Sequence, residues 1–199
     1  MMLVNRPAQQ FCHSAGLRAA LRFPSMAELA SEPLTATQRK WLTDNDVPER
    51  FIDTDWRGWP SALKQTKVAF SPDGHWFDHD TLGETALVFP LRGYFGDHID
   101  WGAWQPETDR FAVCEQKLAV IGLENVLRPR LGDGLIVHDT LLNWLRDGRA
   151  GVVIRDFTQA TEILRDAGRL KFESAAQARQ VREQSTIRDI FVLKGRDVV

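Results

Sequence analysis

The sequence predicts an α/β protein: a parallel sheet with flanking helices toward the C-terminus, a small antiparallel β subdomain in the middle, and an N-terminal helical arm. Three observations predict it. Short apolar runs alternate with helix-period segments after residue 134, which is the grammar of βαβ units. Apolar, partly β-branched runs bounded by turn residues fill the region from 67 to 114. Pro7, Pro24, Pro33, Pro48 and Pro60 punctuate the first 60 residues and leave room only for short helices.

In the arm, Ala15 to Leu21 forms one candidate helix, stopped before Pro24. Thr35 to Leu42 forms a second, with Thr35 or Thr37 as N-cap and Asn45-Asp46-Val47-Pro48 as its end. Two short helices bury little by themselves and are expected to pack on the domain C-terminal to them. Lys67 to Phe70 and Thr85 to Leu91 then read as strands, separated by the turn Ser71-Pro72-Asp73-Gly74. Residues 98–104 and 110–114 read as a hairpin across Gln105 to Asp109.

Gly134 to Val137 is a short continuous apolar run, the mark of a strand covered on both faces. A helix from Thr140 to Asp147 follows, capped by Asp139 or Thr140 and closed by Gly148. Gly151 to Ile154 is the next strand. Thr158 is then expected to cap a helix whose Ala160, Ile163, Leu164 and Ala167 share one face, closed by Gly168. Leu170 to Phe172, the helix Ala175 to Gln184 and the strand Ile190 to Leu193 complete the series. Short connections in such an order imply right-handed crossovers and a parallel sheet. The expected organisation is an accessory segment over 1–60 and an α/β domain over 61–199, with its β subdomain at 67–127 and its βαβα core at 134–199.

The chain has 199 residues, 43% hydrophobic and 26% charged, which is globular composition and excludes a disordered polyelectrolyte. No stretch reaches the roughly 20 apolar residues that span a bilayer, and Met1 to Pro7 lacks the apolar region of a secretory leader, so no membrane association is expected. Cys12 and Cys114 are too few for a disulfide framework or a zinc finger and read as thiols of a reducing, cytoplasmic setting. The formal net charge is −2, with an acidic middle and an Arg-rich last third. That distribution fits either a local phosphate-facing patch or an ordinary mixed surface.

The order of parts resembles a known family. Leu87-Val88-Phe89-Pro90-Leu91-Arg92-Gly93, the loop Ile121 to Leu127, and Leu135-Ile136-Val137-His138-Asp139 with its helix match the catalytic core of bacterial and phage primases in sequence order. Gly151 to Ile154 and Lys171 to Arg179 continue the match, over about residues 67–185. That core contains the topoisomerase–primase (Toprim) domain, so the resemblance implies a Toprim-like parallel sheet. It also implies where chemistry would sit. The family's first strand ends in Glu-Gly, where this chain has His138-Asp139. The family's third strand ends in Asp-x-Asp, where this chain has Glu173-Ser174-Ala175. Magnesium needs several hard oxygen ligands in near-octahedral array. With one carboxylate in place of several, no Mg²⁺ and no other cofactor is expected.

The resemblance therefore implies a degenerate, non-catalytic primase-related protein of a bacterium, phage or mobile element. Its expected partners are DNA or RNA, or a replication or mobile-element protein. The rival reading is a metal-dependent phosphotransferase or nuclease using His138, Asp139 and Glu173. A third is a protein-interaction or inhibitor module using the Trp-rich β region. Arg165, Arg169, Lys171, Arg179 and Arg182 are the candidate nucleic-acid contacts, Arg179 and Arg182 sharing a helix face; the alternative is a solvated surface. Trp101 and Trp104 are candidate stacking or partner contacts, or else core filling. Asp73 to Asp80 holds His75 and His79 at a spacing that suits a metal site or a polar turn. His138 reads as a proton carrier, or as a rim residue beside an Asp139 cap. No nucleophile elbow and no glycine-rich phosphate loop is present.

Overall fold

A computed structural model describes residues 31–60, 62–114, 118–127, 134–184 and 190–193. The helix expected at Ala15 to Leu21 and the thiol of Cys12 lie outside the described residues. The order begins β1 (Glu32–Pro33), α1 (Ala36–Asp44), α2 (Arg50–Asp53), β2 (Lys64–Phe70), β3 (Phe77–His79) and β4 (Glu84–Arg92). It continues with β5 (His98–Gln105), β6 (Arg110–Val113), β7 (Val120–Ile121), β8 (Leu135–His138) and α3 (Leu141–Arg146). It closes with β9 (Val152–Ile154), α4 (Phe157–Leu164), β10 (Leu170–Phe172), α5 (Ala175–Gln184) and β11 (Ile190–Val192). Among the described residues, no helix is long and apolar enough to cross a membrane.

Two sheets result. The first is antiparallel, in the order β1-β2-β4-β5-β6, with β3 paired to β2. Pro90 sits in its central strand without breaking it. The pairing of β4 with β2 ends at Val88, so the edge of Pro90 that lacks an N–H needs no partner there. The second sheet runs β11-β10-β8-β9-β7, parallel throughout except for the two-residue β7. The parallel βαβ series is thus as the sequence implied. Val120 and Ile121 differ from expectation: they belong to the edge of the parallel sheet, paired with Ile154 and Val153, and not to the antiparallel block.

Local chemistry explains most boundaries. Thr35 caps α1 in a full capping box with Gln38. Thr140, not Asp139, caps α3 by accepting from the Asn143 N–H. Asp156, not Thr158, caps α4, its carboxylate accepting from the N–H groups of Thr158 and Gln159. Thr158 is already inside the helix. Gly148 follows α3 at φ +67°, and a Cβ there would stand 2.6 Å from the Phe51 ring.

That contact belongs to a shared core. Leu42, Val47 and Ile52 of the arm pack in one cluster with Phe89, Trp104, Phe111, Trp144 and Val153. A second cluster, including Leu135, Val137, Leu164, Phe172 and Val181, lies between the parallel sheet and α4 and α5. A third joins Val68, Val88 and Trp101 on the antiparallel sheet. The arm is therefore fixed by apolar burial against both sheets' neighbours, the dominant favourable term in folding.

Candidate functional site

Register brings two strand ends together. Val137 of β8 pairs with Phe172 of β10, so His138 and Glu173 emerge side by side at the C-terminal edge of the parallel sheet. This is where open α/β sheets place ligand-contacting groups. His138 is only 1% exposed. Its Nδ1 lies 2.9 Å from Glu173 Oε1 and its Nε2 2.8 Å from the Ala150 carbonyl oxygen. Asp147 Oδ2 stands 3.7 Å from Nε2. Both ring nitrogens face oxygen acceptors, so both bonds form only when the ring carries two protons.

Glu173 Oε2 accepts from the Asp139 N–H at 3.1 Å and from Asn143 Nδ2 at 2.9 Å. Partial burial pushes the Glu173 carboxyl up, but the His138 hydrogen bond and charge, the Asp139 N–H and Asn143 together carry it down to about 2. The Asp139 side chain is exposed and only its backbone serves this cluster. Desolvation, then the neighbouring Glu173, holds its carboxyl above the usual range. Gly151 makes room for the arrangement: at φ +80°, a Cβ there would stand 2.4 Å from the Ile136 oxygen and 3.1 Å from His138 Nε2.

A carboxylate offers about four lone-pair positions, and three donors already use those of Glu173. The geometry is that of a clamp joining β8, α3 and β10. It does not fit the Mg²⁺ that the primase resemblance implies, which would need those oxygens. Among the described residues, no group of three or more His, Cys, Asp or Glu side chains could hold a metal ion.

The other anticipated residues are dispersed. Arg165 pairs with Glu162 on the surface, and Arg169 lies over the Phe191 ring at 5.1 Å. Both precede β10, whereas Glu173 follows it; Lys171 lies within the strand. Arg179 is exposed on α5, and Arg182 on the same helix donates to the Ile190 carbonyl at 3.3 Å. Trp101 and Trp104 are corrected from stacking platform to core, at 5% and 2% exposure. Trp104 packs edge-on to Trp41 and donates its Nε1–H to Asp109. In the Asp73 to Asp80 tract, His75 lies in the turn and His79 in β3, while Asp73 binds the Ser71 hydroxyl and the His75 N–H. The His138 ring, though at the sheet's C-terminal edge, is likewise buried.

Sequence reasoning missed a second polar cluster next to the clamp. Asn125 Nδ2 donates to the carbonyls of Arg149 and Gly151, and its Oδ1 accepts from Trp56 Nε1 and Arg57 Nη2. Arg57 also donates to the Glu124 carbonyl at 2.9 Å and stacks over Trp56 and Trp59. Burial pushes the Glu124 carboxyl up to about 7 against the pull of Arg57 and Arg92. Burial also takes Arg149 down to about 10. The only sequence signal was Trp56-Arg57-Gly58-Trp59, an alternation of aromatic and cationic residues with no periodic meaning.

No protein-family model matches the chain, and no curated protein matches it. Among solved structures, the chain is similar to the primase fragment of the bacteriophage T7 primase-helicase protein. The TM-score is 0.49 and the identity 11%, over 89% of this chain and 71% of that one. It is also similar to the RNA polymerase domain of Mycobacterium tuberculosis primase DnaG, in two complexes with double-stranded DNA. Those TM-scores are 0.48 and 0.49 at 13% and 12% identity, over 79% and 81% of this chain and 65% and 66% of those.

Proposed function

We propose that this chain is a primase-related, Toprim-like protein that works without catalysis of its own, by binding nucleic acid or a protein partner. One observation carries the reading. Where phosphoryl transfer would need free carboxylates, Glu173 has both oxygens engaged by His138, Asn143 and the Asp139 N–H. The sequence resemblance and the observed parallel order β11-β10-β8-β9 support the kinship. The imidazole in place of a first-strand carboxylate supports the loss of chemistry.

Nucleic acid is the partner class we favour, with Arg169 and Arg179 as contacts, because the guanidinium groups of Arg165 and Arg182 are already engaged by protein oxygens. Fluorescence anisotropy with a single-stranded DNA oligomer at two salt concentrations tests it. Binding is expected at low salt and is expected to weaken as salt rises, because phosphate contacts release counterions. Arg169→Ala with Arg179→Ala should lower the low-salt affinity. Absence of binding at low salt would exclude nucleic acid and leave a protein partner.

A further inference from the structure

Between the antiparallel sheet and helices α4 and α5 lies a cleft of about 430 Å³, a size typical of small-molecule sites. Its walls are apolar at Phe111, Val113, Leu118 and Phe157, and polar at Arg155, Thr158, Gln180 and Gln184. His75 and Asp156 also line it, the latter turned to the α4 N–H groups that it caps. The Arg155 guanidinium lies over the Phe111 ring at 5.0 Å and reaches the Phe111 carbonyl at 3.4 Å. It makes no ion pair among the described residues. The side-chain amides of Gln180 and Gln184 and the Thr158 hydroxyl likewise have no hydrogen-bond partner among them. Uncommitted donors and acceptors over an apolar floor are the composition of a binding site.

We propose that this cleft binds a purine nucleoside 5′-phosphate, with Arg155 on the phosphate and Gln180 and Gln184 on the base. A guanidinium presents paired N–H groups that suit phosphate oxygens. A carboxamide presents a donor beside an acceptor, which matches the edge of adenine. The Phe157 side of the cleft gives the flat ring an apolar surface. The ligand is a free nucleotide or one unit of a strand, the chemistry being the same. The assignment does not rest on the His138–Glu173 clamp, with which the cleft shares no residue; a strand as ligand coincides with the nucleic acid of the proposed function, and a free nucleotide does not.

Equilibrium dialysis of the full chain tests it, with adenosine 5′-monophosphate, adenosine, inorganic phosphate and a 5′-phosphorylated adenosine trinucleotide as probes. The monophosphate is expected to bind saturably, with adenosine and phosphate each at least about tenfold weaker. Arg155→Gln should weaken the monophosphate by about tenfold, and Gln180→Glu should do so by replacing the amide donor that faces the base with an acceptor. Both residues are exposed, so Gln180→Glu should leave the thermal midpoint in place and Arg155→Gln should lower it by only a few degrees, through the lost Phe111 contact; Gln184→Glu serves if either variant misfolds. Competition by the trinucleotide at equal or tighter affinity marks a strand as the source, and competition by monomers alone marks a free nucleotide. The proposal is overturned if the monophosphate fails to saturate by about 10 mM. It is also overturned if phosphate alone binds as tightly, or if the folded variants bind like the wild type.

Discussion

His138 and Glu173 bind each other in a site from which water is largely excluded, and each would be costly to bury alone. The Glu173 carboxyl is carried from 4.5 down to about 2, so its stabilising contribution is fully present above pH 4.5 and is lost as pH falls toward 2. Its side chain is 20% exposed, and the contribution amounts to about 2–3 kcal/mol. Glu173→Gln should therefore lower the urea-unfolding free energy at neutral pH by that order and flatten the acid limb; an unchanged acid limb would contradict the clamp. Asp139→Ala should stay within about 0.5 kcal/mol of wild type, because only its N–H is used. Glu124 has the opposite sign. Its carboxyl is raised from 4.5 to about 7, so the folded state holds its proton more tightly, and stability falls as pH rises through that window. Oε2 of Glu124 is buried with no hydrogen-bond partner among the described residues. Glu124→Gln should thus gain about 2 kcal/mol at pH 8 and little at pH 5, measured by thermal or urea unfolding. A loss at pH 8 would mean that the Arg57 and Arg92 charges outweigh burial.

Elements were legible wherever one local signal dominated. Apolar continuity marked β8 and β9, and the Ala160, Ile163, Leu164 spacing marked α4. Caps were less legible, because Asp139 and Thr140 are both good N-caps, as are Asp156 and Thr158; the choice rests on where the strand releases the chain. β7 left almost no signal. Two residues carry no period, and their strand character comes wholly from pairing with β9. The end of α3 also decides how the arm docks. Gly148→Ala adds a methyl at positive φ that meets the Phe51 ring, and should cost about 2–4 kcal/mol by backbone strain and overpacking. A thermal midpoint within one or two degrees of wild type would mean that Phe51 does not anchor the arm.

At the scale of the whole molecule, a parallel sheet with His138 and Glu173 each ending one of its strands was legible, without the strand order that makes β8 and β10 neighbours. What those residues do there was not. Three partners of the pair, Ala150, Asn143 and the Asp139 N–H, come from a turn, a helix and a backbone group that no motif flags. The Glu124–Asn125–Arg57 cluster was hidden for a similar reason, since it joins segments nearly 70 residues apart. Trp104 is buried in the cluster that includes the arm, whereas Trp101 is buried on the other face of β5 with Val68, Phe77 and Val88, and an isolated strand pattern leaves both coverings open. The central claim is that the edge of the parallel sheet is a clamp and not a metal centre. Titration with Mn²⁺ followed by electron paramagnetic resonance, on the wild type and on Glu173→Gln, tests it most directly. The clamp predicts no saturable Mn²⁺ site at this locus and superimposable titrations for the two proteins; a saturable site in the wild type that Glu173→Gln abolishes would contradict it.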